Sequence, residues 1–163
     1  MIALAFPFSS LNFNYEFYSF HHLGVLGFWG FASILEGLVE FNQSWAKSAT
    51  VLIVTVGSSK GYNGSVNTLA PYDLGQSVSY LVLQAQFLGL HTHQMGGIVS
   101  QTLKKNLEIP EDYEVYSVIA VGYLGKTEDL PEFLRDKEGA ERTRKEISDF
   151  VFTGKWGSSF KTD

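Results

Sequence analysis

The sequence contains no cysteine in its 163 residues. Disulfide bonds, thiolate nucleophiles, iron–sulfur clusters and cysteine-ligated zinc are therefore excluded. Basic residues are also few, because 12 Lys and Arg stand against 17 Asp and Glu, which gives a formal net charge of −5. A nucleic-acid-binding protein would normally carry a basic face, so the charge balance argues against that class.

Apolar residues make up 45% of the chain and charged residues 18%, a balance typical of a globular protein rather than a disordered one. The length suits one domain that spans residues 1–163 and can bury a core of its own. It equally suits one subunit of an intertwined dimer.

The first 37 residues differ in character from the remainder. Residues 1–46 contain no Lys or Arg, and eight of the thirteen Phe residues lie among them. The uncharged stretch Phe17–Leu35 is long enough to span a bilayer. However, it holds histidines, serines and glycines, and no flanking basic residue fixes an orientation. A signal peptide would need a basic start, which is absent. We expect a buried or partner-covered segment, or an N-terminus that is not the ancestral one.

The rest of the chain alternates between strand and helix signals. The β-branched run Thr50–Val56 predicts a strand buried on both faces. A long helix beginning at Pro71 or Tyr72 carries no charge after Asp73, which predicts a central position, and Gly89 is a plausible stop. Further predicted elements are strands at Gly89–His93 and Glu114–Leu124, helices at Val99–Leu107 and Pro131–Lys137, a loop at 57–71, a basic linker at 139–145 and an extended tail at 147–157.

Histidines alternate at His91 and His93 on a predicted strand, which places them on one face. No Asp, Glu or third His lies close in sequence, so we interpret them as structural polar residues and predict no metal site. No Ser-His-Asp arrangement or pair of catalytic carboxylates can be argued.

Four patches carry a resemblance to the FMN-dependent nitroreductase family. They are LVEFNQSWAKSATVLIVTV (residues 38–56), YDLGQSVSYLVLQAQFLGL (72–90), HTHQMGGIVSQTLKKNLEIPEDYEVYSVIAVGY (91–123) and RTRKEISDFVFTGKWG (142–157). The resemblance covers about residues 38–157 and implies an α+β fold, with a mixed, mainly antiparallel sheet flanked by helices. It also implies a homodimer with FMN at the interface.

The resemblance places Met95, Gly96 and Gly97 beside the flavin ring. Glycine between a strand and a helix lets the backbone approach a flat ring, and free amides there can donate to it; a plain turn is the alternative. Asn42 is placed at the pyrimidine edge, with Gln43 beside it, because an amide side chain offers both a donor and an acceptor. Asn42 and Gln43 read alternatively as the end of a helix.

Arg142 and Arg144 are two residues apart in a predicted extended segment, so both guanidinium groups share one side. The family uses such a pair for the FMN phosphate, which accepts forked donors well; a solvated run of charge is the alternative. Ser9, Ser10 and Asn12 partly match a family motif that reaches the flavin of the other subunit. The alternative is that they belong to a loop that matches the motif by chance. The family's opening basic motif is missing, which puts FMN retention in question.

The resemblance implies a cytoplasmic oxidoreductase in which NAD(P)H reduces FMN and a nitro-aromatic, quinone or similar acceptor then reoxidises it in ping-pong order. No catalytic side chain is expected, because the flavin performs the chemistry. One alternative is a truncated, non-catalytic family member that acts as a structural or apolar-ligand-binding dimer. A third, weaker hypothesis is membrane association through Phe17–Leu35.

Overall fold

The computed structural model describes residues 25–27 and 30–160, which form four strands and five α-helices. The strands are Val25–Gly27 (β1), Val51–Ser58 (β2), His91–Met95 (β3) and Tyr113–Gly122 (β4). The helices are Phe31–Glu36 (α1), Glu40–Ala46 (α2), Ala70–Phe87 (α3), Ser100–Asn106 (α4) and Glu132–Glu138 (α5), with 3₁₀ turns at Thr127–Asp129 and Ile147–Asp149.

The strands form one sheet in the order β1-β2-β4-β3, and each described pairing is antiparallel. The predicted β-branched run becomes β2, whose six inner residues are all buried because both faces of the sheet are covered. β2 pairs with β4 over eight positions, with Val54 opposite Val118. The predicted α+β class with a mainly antiparallel sheet is therefore confirmed.

Helices cover the two faces of the sheet unequally. On one face, α1, α2, α4 and α5 pack over the side chains of Val54, Val118 and Ala120. On the other face, α3 packs alone over Ile53, Ile119 and Val121 through Leu74, Val78 and Ala85. The core is thus divided into two clusters by the sheet, a common arrangement for layered α+β domains.

α3 differs from its prediction in one respect. It begins at Ala70, with Pro71 in its first turn, and is followed by Gly89 at a φ of +74°, so the predicted ends are confirmed. However, in the single chain only one side of α3 is buried, and Tyr72, Tyr80, Leu83 and Phe87 on the opposite side are exposed. The missing charge reflects this exposed apolar side, and the helix is peripheral rather than central.

Two other predicted segments shift. The strand predicted at Gly89–His93 lies at His91–Met95, because Gly89 and Leu90 still take part in ending α3. The tail predicted as extended instead contains a 3₁₀ turn and a tight reversal in which Phe152 bridges to Ser159. Residues 140–160 share no hydrogen bond or ion pair with the rest of the described chain.

No helix among residues 25–27 and 30–160 is long and apolar enough to cross a membrane. Most of the stretch Phe17–Leu35 lies outside the described residues, and its last part forms β1 and most of α1.

Candidate functional site

Asn42 and the turn formed by Gly96 and Gly97, here called the glycine loop, are brought together by the fold although they are 55 residues apart. Asn42 Nδ2 donates a hydrogen bond of 2.9 Å to the carbonyl oxygen of Gly97. Asn42 is only 8% exposed, so the contact lies inside the protein. The two predicted site segments are therefore parts of one arrangement.

A short backbone pairing supports this contact. Val39 N donates to Gly97 O at 3.1 Å, Val99 N donates to Gly37 O at 2.8 Å, and Leu38 and Ile98 form an isolated antiparallel bridge between these two bonds. The chain before α2 and the chain after β3 consequently hold each other from Gly97 to Val99, at the end of the glycine loop that leads into α4.

Gly97 is required by close packing. A Cβ atom at this position would lie 2.6 Å from Asn42 Nδ2 and 2.9 Å from Val39 Cγ2, both well inside van der Waals contact. Any other residue would displace the Asn42 side chain or the start of α2. At Gly96, in contrast, a Cβ would meet no atom within 4 Å. The two glycines, which the sequence presents as equivalent, have different roles.

The glycine loop offers hydrogen-bond donors that residues 25–27 and 30–160 leave unused. No hydrogen bond within the described chain uses the backbone N–H of Gly96 or of Gly97. Gly96 is exposed, so a ligand can reach this loop from outside. Unpaired backbone donors at a loop that also touches a polar side chain are a common basis of ligand binding.

The side chains of Asn42 and Gln43 are fixed in orientation by carbonyl groups. A carbonyl oxygen only accepts, so the amide nitrogen must face it in each case: Nδ2 of Asn42 faces Gly97 and Nε2 of Gln43 faces Leu38, at 2.7 Å. Neither amide oxygen receives a hydrogen bond from the described residues, and neither is among the fully buried unpartnered atoms. Both oxygens remain available as acceptors.

Three details of the predicted site are corrected. Asn42 and Gln43 lie in the middle of α2 rather than at the end of a helix, because the helix continues to Ala46. Met95 is the last residue of β3, not part of the connection between strand and helix. Its side chain is 2% exposed and belongs to the core between the sheet and the helices, so only its backbone adjoins the glycine loop.

Arg142 and Arg144 are not brought to the glycine loop by contacts within the single chain. Both are exposed in the segment that follows α5, and Arg144 Nη1 donates to the carbonyl of Thr143. Neither forms a described hydrogen bond or ion pair with Asn42, Gln43 or the loop. Ser9, Ser10 and Asn12 lie outside the described residues.

Trp45 and His93 were not selected by sequence reasoning but lie beside the site. The two rings meet edge to face with centroids 4.8 Å apart. Trp45 is one turn beyond Asn42 on α2, and His93 is on the same side of β3 as Met95. Burial lowers the pKa of His93 below the ordinary value of 6.5, while the negative charge of Glu138 acts in the opposite direction.

No group of three His, Asp or Glu residues in the described part of the chain is arranged to hold a metal ion. A separate cavity of about 310 Å³ lies beside the C-terminal end of α2. It is lined by side chains of both charges, Lys47 and Arg135 against Glu128 and Asp129, and by none of the predicted site residues.

Comparisons with known proteins show which fold this is. A solved structure of an oxidoreductase containing FMN aligns with a TM-score of 0.72 and 29% identity, over 83% of this chain and 72% of that one. A nitroreductase family protein from Clostridium difficile 630 aligns with a TM-score of 0.57 and 16% identity, over 81% of this chain and 73% of that one. No family model matches the chain.

An uncharacterized 15.4 kDa protein in the ask 5′ region of Mycolicibacterium smegmatis is 27% identical over 124 residues, which is 76% of this chain and 83% of that protein. The fold and its layers define an α+β protein of the nitroreductase type. The resemblance to the nitroreductase family that the sequence predicts is therefore confirmed over most of the chain.

Proposed function

We propose that this protein is an FMN-dependent oxidoreductase that takes reducing equivalents from NAD(P)H and passes them to nitro-aromatic, quinone or similar acceptors. The observation that carries the proposal is the glycine loop, with two unused backbone donors directly beside Asn42. The 29% identity with a structure of an FMN-containing oxidoreductase supports it, because that alignment includes most of the chain.

The polar groups of the site match one edge of a flavin ring. That edge carries carbonyl and ring-nitrogen acceptors on both sides of a single N–H donor. The amides of Gly96 and Gly97 supply donors for the acceptors, and Oδ1 of Asn42 supplies an acceptor for the ring N–H. Gln43 Oε1 is a second acceptor on the same helix. The residues present therefore fit FMN at its ring.

The phosphate of FMN would be bound by Arg142 and Arg144. Both guanidinium groups are exposed and form no ion pair with a carboxylate among the described residues. They can therefore bind a phosphate without first breaking an ion pair. Bidentate Arg–phosphate contacts are among the stronger hydrogen bonds in proteins. Their separate position in the single chain suggests that they act on the site of a second subunit.

When bound, FMN supplies the hydride chemistry in two successive half-reactions, one with NAD(P)H and one with the acceptor. The protein contributes binding and orientation: the glycine loop and Asn42 hold one edge of the ring, and the arginines hold the phosphate. No carboxylate or histidine that could transfer a proton forms a described hydrogen bond with the glycine loop or Asn42. The chain therefore acts mainly by positioning.

A homodimer is part of the proposal. The exposed side of α3 presents Tyr72, Tyr80, Leu83 and Phe87 at helical spacing, an apolar stripe of the kind that marks protein interfaces. Residues 140–160 add exposed apolar side chains, including Trp156 at 92% exposure, on a segment that forms no hydrogen bond or ion pair with the rest of the described chain. A second copy of the chain would cover both surfaces.

A second candidate is a non-catalytic dimer that has lost FMN. It is favoured by one observation: among the described residues, no basic side chain forms a hydrogen bond with the glycine loop or Asn42. FMN would then depend entirely on Arg142 and Arg144 for its phosphate. Binding of FMN decides between the two candidates.

The test is a spectrum of the purified protein after incubation with FMN and removal of free flavin. We expect a retained flavin absorption band at about 450 nm that NADH or NADPH bleaches under anaerobic conditions and that a quinone or nitro-aromatic restores. A protein that retains no flavin would refute the oxidoreductase and favour the non-catalytic dimer. Bound flavin that neither nucleotide bleaches would refute the proposed electron donor.

A further inference from the structure

The carbonyl oxygen of Gly97 receives two hydrogen bonds, from Val39 N at 3.1 Å and from Asn42 Nδ2 at 2.9 Å. Val39 precedes α2 as its N-cap, and Asn42 lies within α2. The Gly97 carbonyl lies in one planar peptide unit with the N–H of Ile98, which donates to the carbonyl oxygen of Gly96 at 3.0 Å. The Gly96 carbonyl is in turn coplanar with the N–H of Gly97. Fixing the Gly97 carbonyl therefore also limits, through Ile98, the direction in which the N–H of Gly97 points.

The contact is tight from both sides. Asn42 occupies the space that a side chain at position 97 would need, at 2.6 Å from a Cβ atom placed there. In turn, Gly96 has open space around it and no hydrogen bond from its own N–H. The glycine loop is consequently held at Gly97 by Val39 and Asn42, and at Gly96 by the hydrogen bond from Ile98 N to its carbonyl and by its place directly after β3.

We infer that Asn42 is a positioning residue, which acts through the Gly97 carbonyl to hold the N–H of Gly97 in the orientation that binds the ligand. The inference rests on the proposed flavin site for its ligand. A positioning role differs from a direct contact with the ligand in the atom that it requires. Positioning requires the donor Nδ2 of Asn42, whereas a direct contact with the ring N–H requires only the amide oxygen. Asn42 and Gly97 then form one energetic unit.

A double-mutant cycle tests this unit, with wild type, Asn42→Ala, Gly97→Ala and the double variant. The dissociation constant of FMN is measured from flavin fluorescence at a temperature well below unfolding. We expect each single change to weaken binding by about 10-fold or more, and the double change to weaken it by no more than the larger single effect, because both remove the same interaction. Additive effects would overturn the inference.

Asn42→Asp separates positioning from direct contact. The aspartate has nearly the same shape and keeps an acceptor oxygen, but as a carboxylate it cannot donate to the Gly97 carbonyl. We expect it to bind FMN as weakly as Asn42→Ala. Wild-type affinity in Asn42→Asp would mean that Asn42 acts only by accepting a bond from the ring, and positioning would be refuted.

Asn106→Ala is the matched control. Asn106 Nδ2 also donates to a backbone carbonyl, that of Ser33, and so joins α4 to α1, but it forms no described hydrogen bond with the glycine loop. We expect it to lower the melting temperature without changing FMN affinity by more than about twofold. A loss of affinity as large as that of Asn42→Ala would show a general structural effect and overturn the inference.

The same four variants can be compared by the melting temperature of the flavin-free protein. This measurement does not depend on the proposed function, because it requires no bound FMN. The clash at position 97 involves Asn42 atoms, so Gly97→Ala should be less destabilising when Asn42 is already alanine. If wild type binds no FMN, the proposed function fails, and the thermal cycle alone then decides whether Asn42 and Gly97 form one unit. If FMN binds but is indifferent to Asn42→Ala, only the positioning role fails.

Discussion

His93 stands edge-on against Trp45, with the two ring centroids 4.8 Å apart and an interplanar angle of 79°. The contact joins the strand that leads into the glycine loop to the helix that carries Asn42. Edge-to-face aromatic pairs contribute about 0.5–1.5 kcal/mol beyond the area they bury. The ring pair thus fixes, from outside the site, the distance between the two segments that form it.

The first prediction concerns pH. Because burial lowers the pKa of His93, the folded protein binds this proton less readily than the unfolded chain, whose histidine titrates near 6.5. The contribution of His93 to the free energy of unfolding is therefore constant above about pH 6.5 and is lost progressively as the pH falls below it. Melting temperatures between pH 5 and pH 8 should show this decline in wild type and a shallower one in His93→Gln.

His91→Gln is the control for His93→Gln, because it removes an imidazole from the same strand without touching Trp45. An equal reduction of the pH dependence in both variants would contradict the assignment to His93.

The second prediction concerns the exposed stripe of α3. Leu83→Glu should convert the protein from dimer to monomer without unfolding it, because Leu83 is exposed in the single chain and its side chain supports no core contact. The measurement is molar mass by light scattering during size exclusion, together with circular dichroism. Leu124→Glu, an equally exposed leucine in the loop after β4, controls for the added charge and should remain dimeric.

The third prediction concerns the phosphate of FMN. Arg144→Ala should weaken FMN binding by about 10-fold to 100-fold, which corresponds to one charge-assisted hydrogen bond of about 1.5–3 kcal/mol. Riboflavin has the same ring but no phosphate, so its affinity should not change. Lys145→Ala removes a neighbouring cation and should affect neither ligand. A parallel loss for riboflavin would show that Arg144 does not act on the phosphate.

The fourth prediction concerns a buried ammonium group. Lys104 on α4 is 6% exposed, and its Nζ lies 3.2 Å from a carboxylate oxygen of Glu114 and 3.7 Å from one of Glu111. Glu114→Ala leaves this buried charge without its nearer partner and should lower the free energy of unfolding by about 1–3 kcal/mol in urea titrations. Glu111 is almost fully exposed, so Glu111→Ala should lower the free energy of unfolding by less than about 1 kcal/mol.

Lys104→Met gives a further check. Replacing the buried cation by an apolar chain of similar length removes its desolvation cost and leaves both carboxylates in contact with water. We expect it to be less destabilising than Glu114→Ala. The reverse order would contradict the interpretation that the unpaired ammonium group is the source of the loss.

Much of the fold is visible in the sequence because its signals are local. The β-branched run that forms β2 and the start and stop of α3 lie within about two residues of their predicted places. α2 is different, because no Gly or Pro follows Asn42 and Gln43 to mark an end, and the helix continues to Ala46. β3 starts late because Gly89 and Leu90 finish the preceding helix, which no periodicity could show.

The candidate site was predictable in its residue types and not in its contacts. The resemblance placed Asn42 and the glycine loop near each other, and the fold does so, but the bond from Nδ2 to the Gly97 carbonyl depends on how β3 and α2 pack. The contact between Trp45 and His93 has only a faint sequence signal: a Trp one turn after Asn42 and a His two residues before Met95. Arg142 and Arg144 form no described hydrogen bond or ion pair with the glycine loop or Asn42, so their proposed role has no signal in the contacts of the described chain.

The reversal near the C-terminus has a kinetic consequence. All described hydrogen bonds of residues 147–160 join positions at most nine apart, the longest being from Phe160 N to Val151 O. A segment stabilised only by such local bonds can take its shape during synthesis, before any second chain is met. In the proposed dimer, this segment would then lose less conformational entropy when the two subunits associate. The contact between Phe152 and Trp156 would already be formed, so the subunits would associate faster.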